Sequence, residues 1–241
     1  MRQYILLAAI AILAVAAIGG GYCYYLNQTK AAFVVMVDIT DDIKLNIDTS
    51  EVPSHIAQIS SKWSETNVRF STFSNLQNGK IISLSIPAEF PLMGNPAKRS
   101  KLLQDNYQKI FDTLNHLVSV DTGRPQSVIY AVMVHQLNYL SALKVHTKEA
   151  IFYTDCQENT DSFSVYRDID FNQVLSSPEK VQSFFARQLS LESLKGIKVY
   201  MIYNTSSPEL EKRFLLMAGI WAKIFQAKGA TVIIGPNLLT N

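Results

Sequence analysis

Phe33-Val34-Val35-Met36-Val37-Asp38-Ile39-Thr40-Asp41-Asp42 is an apolar run that ends abruptly in an acidic, hydroxyl-bearing turn. An unbroken apolar run, rather than an alternating one, indicates a strand buried on both faces, as in a parallel sheet. In open α/β sheets, ligands bind just beyond the carboxyl ends of such strands. Three carboxylates and a hydroxyl crowd that end here, and their mutual repulsion must be offset by a cation or by strong donors. The stretch therefore reads as the start of an oxygen-ligand metal site, with Asp38 and Thr40 as its first ligands.

The rest of the chain alternates strands with helices. A helix is expected over 51–63, where Pro53 suits a first turn and Ile56, Ile59 and Trp63 recur at helical spacing. Residues 68–73 and 80–86 alternate apolar with polar around Asn78-Gly79, the pattern of an antiparallel pair. A Pro/Gly-rich loop over 87–96 leads into a helix over 97–118. After a second loop over 121–126, Ser127 stands at a helix N-cap position. Residues 150–153 form another apolar strand, which ends at Thr154-Asp155. Residues 156–178 read as polar and irregular. A helix over 178–194, a strand over 197–203, an amphipathic helix over 208–228 closed by Gly229, and a strand over 231–234 complete the chain. This is an α/β pattern with a mostly parallel sheet, expected to have six strands, one antiparallel edge strand and helices on both faces.

Residues 4–26 carry no charge, a run long enough for a helix that spans a bilayer. The reading adopted is an uncleaved anchor over 1–30, followed by one domain over 31–241. The competing reading is a cleaved signal peptide, with Gly19-Gly20-Gly21 ahead of the cleavage site. Aromatic residues Tyr22, Tyr24 and Tyr25 suit a membrane interface. Arg2 favours a cytoplasmic amino terminus and a single-pass topology with the domain on the extracytoplasmic side; Lys30 opposes this slightly. Arg2 and Lys30 are the only charges before Ala31, so the remainder balances 20 basic against 20 acidic residues. That neutrality argues against nucleic-acid binding. There is no Gly-rich phosphate loop after any strand, which argues against a nucleotide. Cys23 and Cys156 have no zinc spacing and are not expected to pair. Each of the four histidines reads as structural or surface.

Three loops now fall at the ends of strands or helices: Asp38-Ile39-Thr40-Asp41-Asp42, Gln126-Ser127-Val128-Ile129-Tyr130 and Tyr153-Thr154-Asp155-Cys156. Hydroxyls and carboxylates suit a hard divalent cation, Mg²⁺ above all, with Mn²⁺ or Ca²⁺ as alternatives. At these residues the chain resembles the von Willebrand factor A-type domain family, whose metal-ion-dependent adhesion site has an Asp-x-Ser-x-Ser loop after the first strand. Asp38 and Thr40 match the first two positions of that loop, Ser127 matches the Thr that precedes the central helix, and Asp155 matches the distal Asp. More narrowly, Glu158-Asn159 after Tyr153-Thr154-Asp155 is similar to bacterial members of the fold. The resemblance implies metal ligands Asp38, Thr40, Asp42, Ser127 and Asp155, a Rossmann-like fold, and recognition of a protein partner rather than catalysis. Asp42 departs from the pattern, which has Ser there. It either ligates and leaves the site net negative, or turns away and leaves the site incomplete.

Two other functions compete with a membrane-anchored binding module. A structural subunit of a cell-envelope or mobile-element-encoded assembly would keep the interface with a degenerate metal site. A haloacid-dehalogenase-like phosphatase would use Asp38 as nucleophile, but it needs a second Asp at position 40, where Thr stands, and no Asp follows Asp170.

Overall fold

The computed structural model describes residues 2–39, 47–73, 81–91, 94–119 and 127–238. Thr40, Asp41 and Asp42 lie outside them. Helix α1 (Arg2–Thr29) leads into β1 (Ala31–Val37), α2 (Glu51–Ile59), β2 (Thr66–Thr72), β3 (Ile82–Ile86) and α3 (Pro96–Ser119). The chain continues through α4 (Tyr130–Ala142), β4 (Thr147–Tyr153), α5 (Asp168–Ser176), α6 (Pro178–Gln188), β5 (Ile197–Ile202), α7 (Pro208–Ala227) and β6 (Thr231–Gly235). The strands form one sheet in the order β3-β2-β1-β4-β5-β6. All neighbours are parallel except the edge pair β2–β3.

The opening run explains its own burial. Ala32, Val34 and Met36 belong to one core layer, beneath α4, α6 and α7. Ala31, Phe33, Val35 and Val37 belong to the other, beneath α2 and α3. Every residue of β1 is buried because helices cover both faces of the sheet. Trp221 of α7 is fully buried against Tyr130 and Phe185, which ties α4, α6 and α7 into one layer.

Three expectations are corrected. Residues 156–178 are not wholly irregular, since α5 occupies Asp168–Ser176. The helix expected over 51–63 stops at Ile59, because Ser60 turns to an extended backbone conformation. The helix expected over 178–194 likewise ends at Gln188, with Leu189 extended.

Helix α1 runs continuously for 28 residues. Only residue 30 separates it from β1, and the Lys30 carbonyl accepts from the backbone N–H groups of His146 and Thr147. Leu7, Ile10, Ile12, Leu13, Val15 and Ile18 point around its whole circumference, and each is more than half exposed. Among the described residues, no helix is long and apolar enough to cross a membrane. The side chains described in α1 are Tyr4 and those over 7–22, and the latter run covers ~24 Å at the usual helical rise.

Candidate functional site

The strand order places a topological switch between β1 and β4. From β1 the chain crosses to β2 on one side, while β4 and β5 extend the sheet on the other. The crevice beyond the carboxyl ends of two such strands is where open α/β sheets bind ligands. Val37 and Tyr153 are register partners at the ends of these strands. Asp38 follows Val37 directly, Asp155 lies two residues beyond Tyr153, and both are buried.

Asp38 is fastened to β4. Its N–H donates to the Tyr153 carbonyl at 2.8 Å, and its Oδ2 accepts from the Thr154 hydroxyl at 2.8 Å. The Thr154 hydroxyl oxygen in turn accepts from the Cys156 N–H at 3.0 Å. Cys156 occupies the left-handed region at φ 61. This turn lets the backbone double back after Asp155, whose Oδ1 and Oδ2 accept from the Gln157 N–H and Nε2, each at 2.9 Å.

Ser127 is buried and lies one residue after the 120–126 segment, which is outside the described residues. It forms a two-way backbone bridge with Asn159, with N–H to carbonyl distances of 3.1 and 2.9 Å. It does not cap α4, which begins three residues later. Oε2 of Glu158 accepts from the N–H groups of Ile129 and Tyr130 at 3.0 and 2.8 Å, satisfying two of the donors that every helix start leaves free. Glu158 thus performs the capping that Ser127 was expected to perform. Burial pushes its carboxyl up to about 7, the two N–H donors oppose that shift, and the nearby charge of Asp38 adds to it. Burial likewise raises the Cys156 thiol well above its ordinary value, with Asp155 and Asp38 adding to the shift.

Three of the five expected ligands, Asp38, Ser127 and Asp155, are therefore buried around the switch point, linked through Thr154, Gln157, Glu158 and Asn159. Thr40 and Asp42 fall outside the described residues. Among the described residues, no group of three or more His, Cys, Asp or Glu side chains is placed to hold a metal ion. The two carboxylates fit a hard cation in part. Carboxylate oxygens are the acceptors that such a cation takes as ligands. A full oxygen shell requires hydroxyls from beyond this set.

In the apolar loop segment over 163–166, Phe163 and Val165 are buried anchors and Tyr166 is exposed. His55, read as structural, pairs with buried Glu149 at 2.7 Å in the core.

No family model matches the chain, and no curated protein matches it. Among solved structures, it is similar to the conserved hypothetical protein BatB from Bacteroides thetaiotaomicron, with 9% identity over 86% of this chain and 91% of that one, at a TM-score of 0.40.

Proposed function

We propose that the chain is a membrane-anchored, non-catalytic protein-binding module of the von Willebrand A type, with a divalent cation held at the β1–β4 switch point. The observation that carries this reading is the convergence of buried Asp38 and Asp155 on adjacent strand ends, with Ser127 joined to the same loop through Asn159. Two buried carboxylates at neighbouring strand ends are costly without a counter-charge or donors. Thr40, one residue beyond Ile39, and Asp42 would supply the remaining oxygens. A bound cation would offer an open position to an acidic side chain of a partner, and Mg²⁺ has the matching preference for oxygen.

The anchor rests on the uncharged run over 4–26 and on the all-round apolar exposure of α1. The domain then lies outside the cytoplasmic membrane, following the charge bias of Arg2.

The test is metal-dependent melting of the full chain in detergent. At a hundredfold excess over Kd, a bound cation adds about 2.7 kcal/mol, which raises Tm by roughly 5–10 °C for a domain of this size. Asp38→Ala removes the shift. Wild type that melts identically with chelator, Mg²⁺, Mn²⁺ and Ca²⁺ overturns the metal reading.

One observation favours the second reading, a structural envelope subunit with a degenerate site. Both oxygens of Asp155 and Oδ2 of Asp38 already hold intramolecular hydrogen bonds. A partner that co-purifies from membranes equally well with chelator and with Asp38→Ala supports that reading over the metal-dependent one.

A further inference from the structure

The edge of the sheet opposite Asp38 and Asp155 carries the amino-terminal ends of the five parallel strands, and α1 joins the domain there. The joint has no slack. Lys30 is the single residue between helix and strand, its carbonyl is held by the His146 and Thr147 N–H groups, and its Nζ lies 3.2 Å from Glu65. A lysine also stands at or shortly before each parallel strand on this edge: Lys30, Lys62, Lys144, Lys195 and Lys228. Of these, all but Lys30 are exposed. The acids of the same edge are fewer: Glu65 pairs with Lys30, Glu149 is buried, and Glu89 and Glu192 remain.

The loop after β3 reaches from this edge down the helix. The Phe90 ring meets Tyr22 of α1, with centroids 4.1 Å apart. Tyr22 lies eight residues before Lys30, ~12 Å along the helix. The loop is held rigidly, because Arg99 is buried and donates to the carbonyls of Lys62, Pro87 and Ser64, and the Glu89 N–H donates to the Trp63 carbonyl.

We propose that this edge is a docking surface for an anionic phospholipid bilayer, with Phe90 seated at headgroup depth beside Tyr22 and the lysine row against the lipid phosphates. The inference rests on the reading of α1 as a membrane anchor and goes beyond it, since an anchor on a flexible tether would leave the domain free. A one-residue joint instead brings the basic edge to the bilayer surface, where each lysine is attracted by anionic headgroups. A loop cannot enter the hydrocarbon, so the hydrocarbon boundary falls at or before Tyr22. The switch-point site then faces away from the membrane, toward a partner.

The experiment reconstitutes the full chain into phosphatidylcholine vesicles with and without phosphatidylglycerol. Quenching by lipids brominated on the acyl chain is read for Ile12→Trp, and quenching by lipids spin-labelled on the headgroup for Phe90→Trp, each against wild type. Acetylation of the exposed lysines is read by mass spectrometry, with Lys212 at the start of α7, on the other edge, as the control. The expected result is quenching at both positions, together with a loss of labelling at Lys144, Lys195 and Lys228, but not at Lys212, when phosphatidylglycerol is present. The combined variant Lys144→Glu, Lys195→Glu and Lys228→Glu lowers the ratio of docked to undocked domain by on the order of 100-fold. Quenching at position 12 with none at position 90, and equal lysine labelling in both lipids, overturns the docking surface while leaving the anchor intact. No quenching at position 12 overturns the anchor and the docking surface together.

Discussion

The Thr154 hydroxyl donates to Oδ2 of Asp38 at 2.8 Å across two adjacent parallel strands, in a position shielded from water. This bond fixes where the Asp38 carboxylate points, and the same hydroxyl oxygen holds the Cys156 N–H that starts the turn into Asp155. Thr154→Val keeps the branched shape and removes both functions. The buried carboxylate loses a charge-assisted donor and the Cys156 N–H loses its acceptor, so the expected cost is about 2–4 kcal/mol in urea unfolding. If the carboxylates bind a cation, the metal-dependent rise in Tm falls as well, because Asp38 is no longer aimed. Thr154→Ser restores the hydroxyl and most of both losses. A Thr154→Val protein as stable as wild type would show that the bond has no role in holding the site.

Glu158 gives the domain a pH dependence of definite sign. Burial, as the chief cause, pushes its folded-state carboxyl up to about 7 from an ordinary value of 4.5. Between those two values the folded state binds more protons than the unfolded state, so stability is greatest below about 4.5 and falls as pH rises toward about 7. Each tenfold difference in proton affinity between the folded and unfolded carboxyl is worth about 1.4 kcal/mol. Glu158→Gln retains an acceptor for Ile129 and Tyr130 while removing the titration. The difference in unfolding free energy between wild type and variant should therefore change with pH across this window and stay flat above it. Urea melts at a series of pH values with chelator present measure it, and a difference that does not vary with pH removes Glu158 as the titrating group.

The strands were readable because burial leaves a composition signature. The runs in β1 and β5 are apolar along nearly their whole length and β4 is apolar over 150–153, since helices cover both faces, and Asp38 and Asp155 stand out just past where the apolar residues stop. The β2–β3 pair announced itself through alternation around Asn78-Gly79. Helix α5 left almost no trace, because it buries only Val174 fully and carries Asp168 and Asp170 in its first turn, so its residues resemble a polar loop. The Glu158 clamp was equally hidden. Its carboxylate meets N–H groups 28 and 29 residues earlier in the chain, and a side chain that caps a distant helix leaves no local periodicity. Ser127 looked like the cap because it has the favoured residue type at nearly the right place. The sequence shows only a Glu three residues after a strand-end Asp with no basic residue near it; its burial, and hence its need for backbone donors, appears only in the fold.

Arg99 tests how rigidly the loop beside α1 is held. Its Nε donates to the Lys62 carbonyl at 2.7 Å, Nη1 to Pro87 at 2.7 Å and Nη2 to Ser64 at 3.3 Å, joining the segment before β2 to the one after β3. Burial holds the guanidinium below its ordinary value, opposed by the charge of Glu89. Arg99→Met fills much of the volume but leaves three carbonyls without their donor. The expected loss is about 3–5 kcal/mol, or a fall in Tm of roughly 10 °C. Local opening should be concentrated at 62–66 and 87–91, seen as faster amide exchange there than in β4. Uniform acceleration across the whole sheet would mean that Arg99 supports the domain generally and not this joint.

The His55–Glu149 pair makes a different prediction, because its two partners are not equivalent. His55 Nε2 lies 2.7 Å from Oε2 of Glu149, both side chains are buried, and the His55 ring meets Tyr200 edge-on at 5.2 Å. The other carboxylate oxygen is 3.6 Å from Lys198 Nζ, which is half-exposed. Removing the imidazole with His55→Ala leaves a buried carboxylate with only a solvent-screened lysine at long range and opens a cavity beside Tyr200. Removing the carboxylate charge with Glu149→Gln keeps a hydrogen-bonding side chain facing His55 and leaves Lys198 to the solvent that already reaches it. Breaking a buried pair from the side that strands the charge is the costlier change. His55→Ala should therefore cost about 3–5 kcal/mol and Glu149→Gln clearly less. The double variant His55→Ala with Glu149→Gln should be more stable than His55→Ala alone, because the stranded charge is gone. A double variant whose loss equals the sum of the single losses would mean that the two side chains do not interact, despite their 2.7 Å separation.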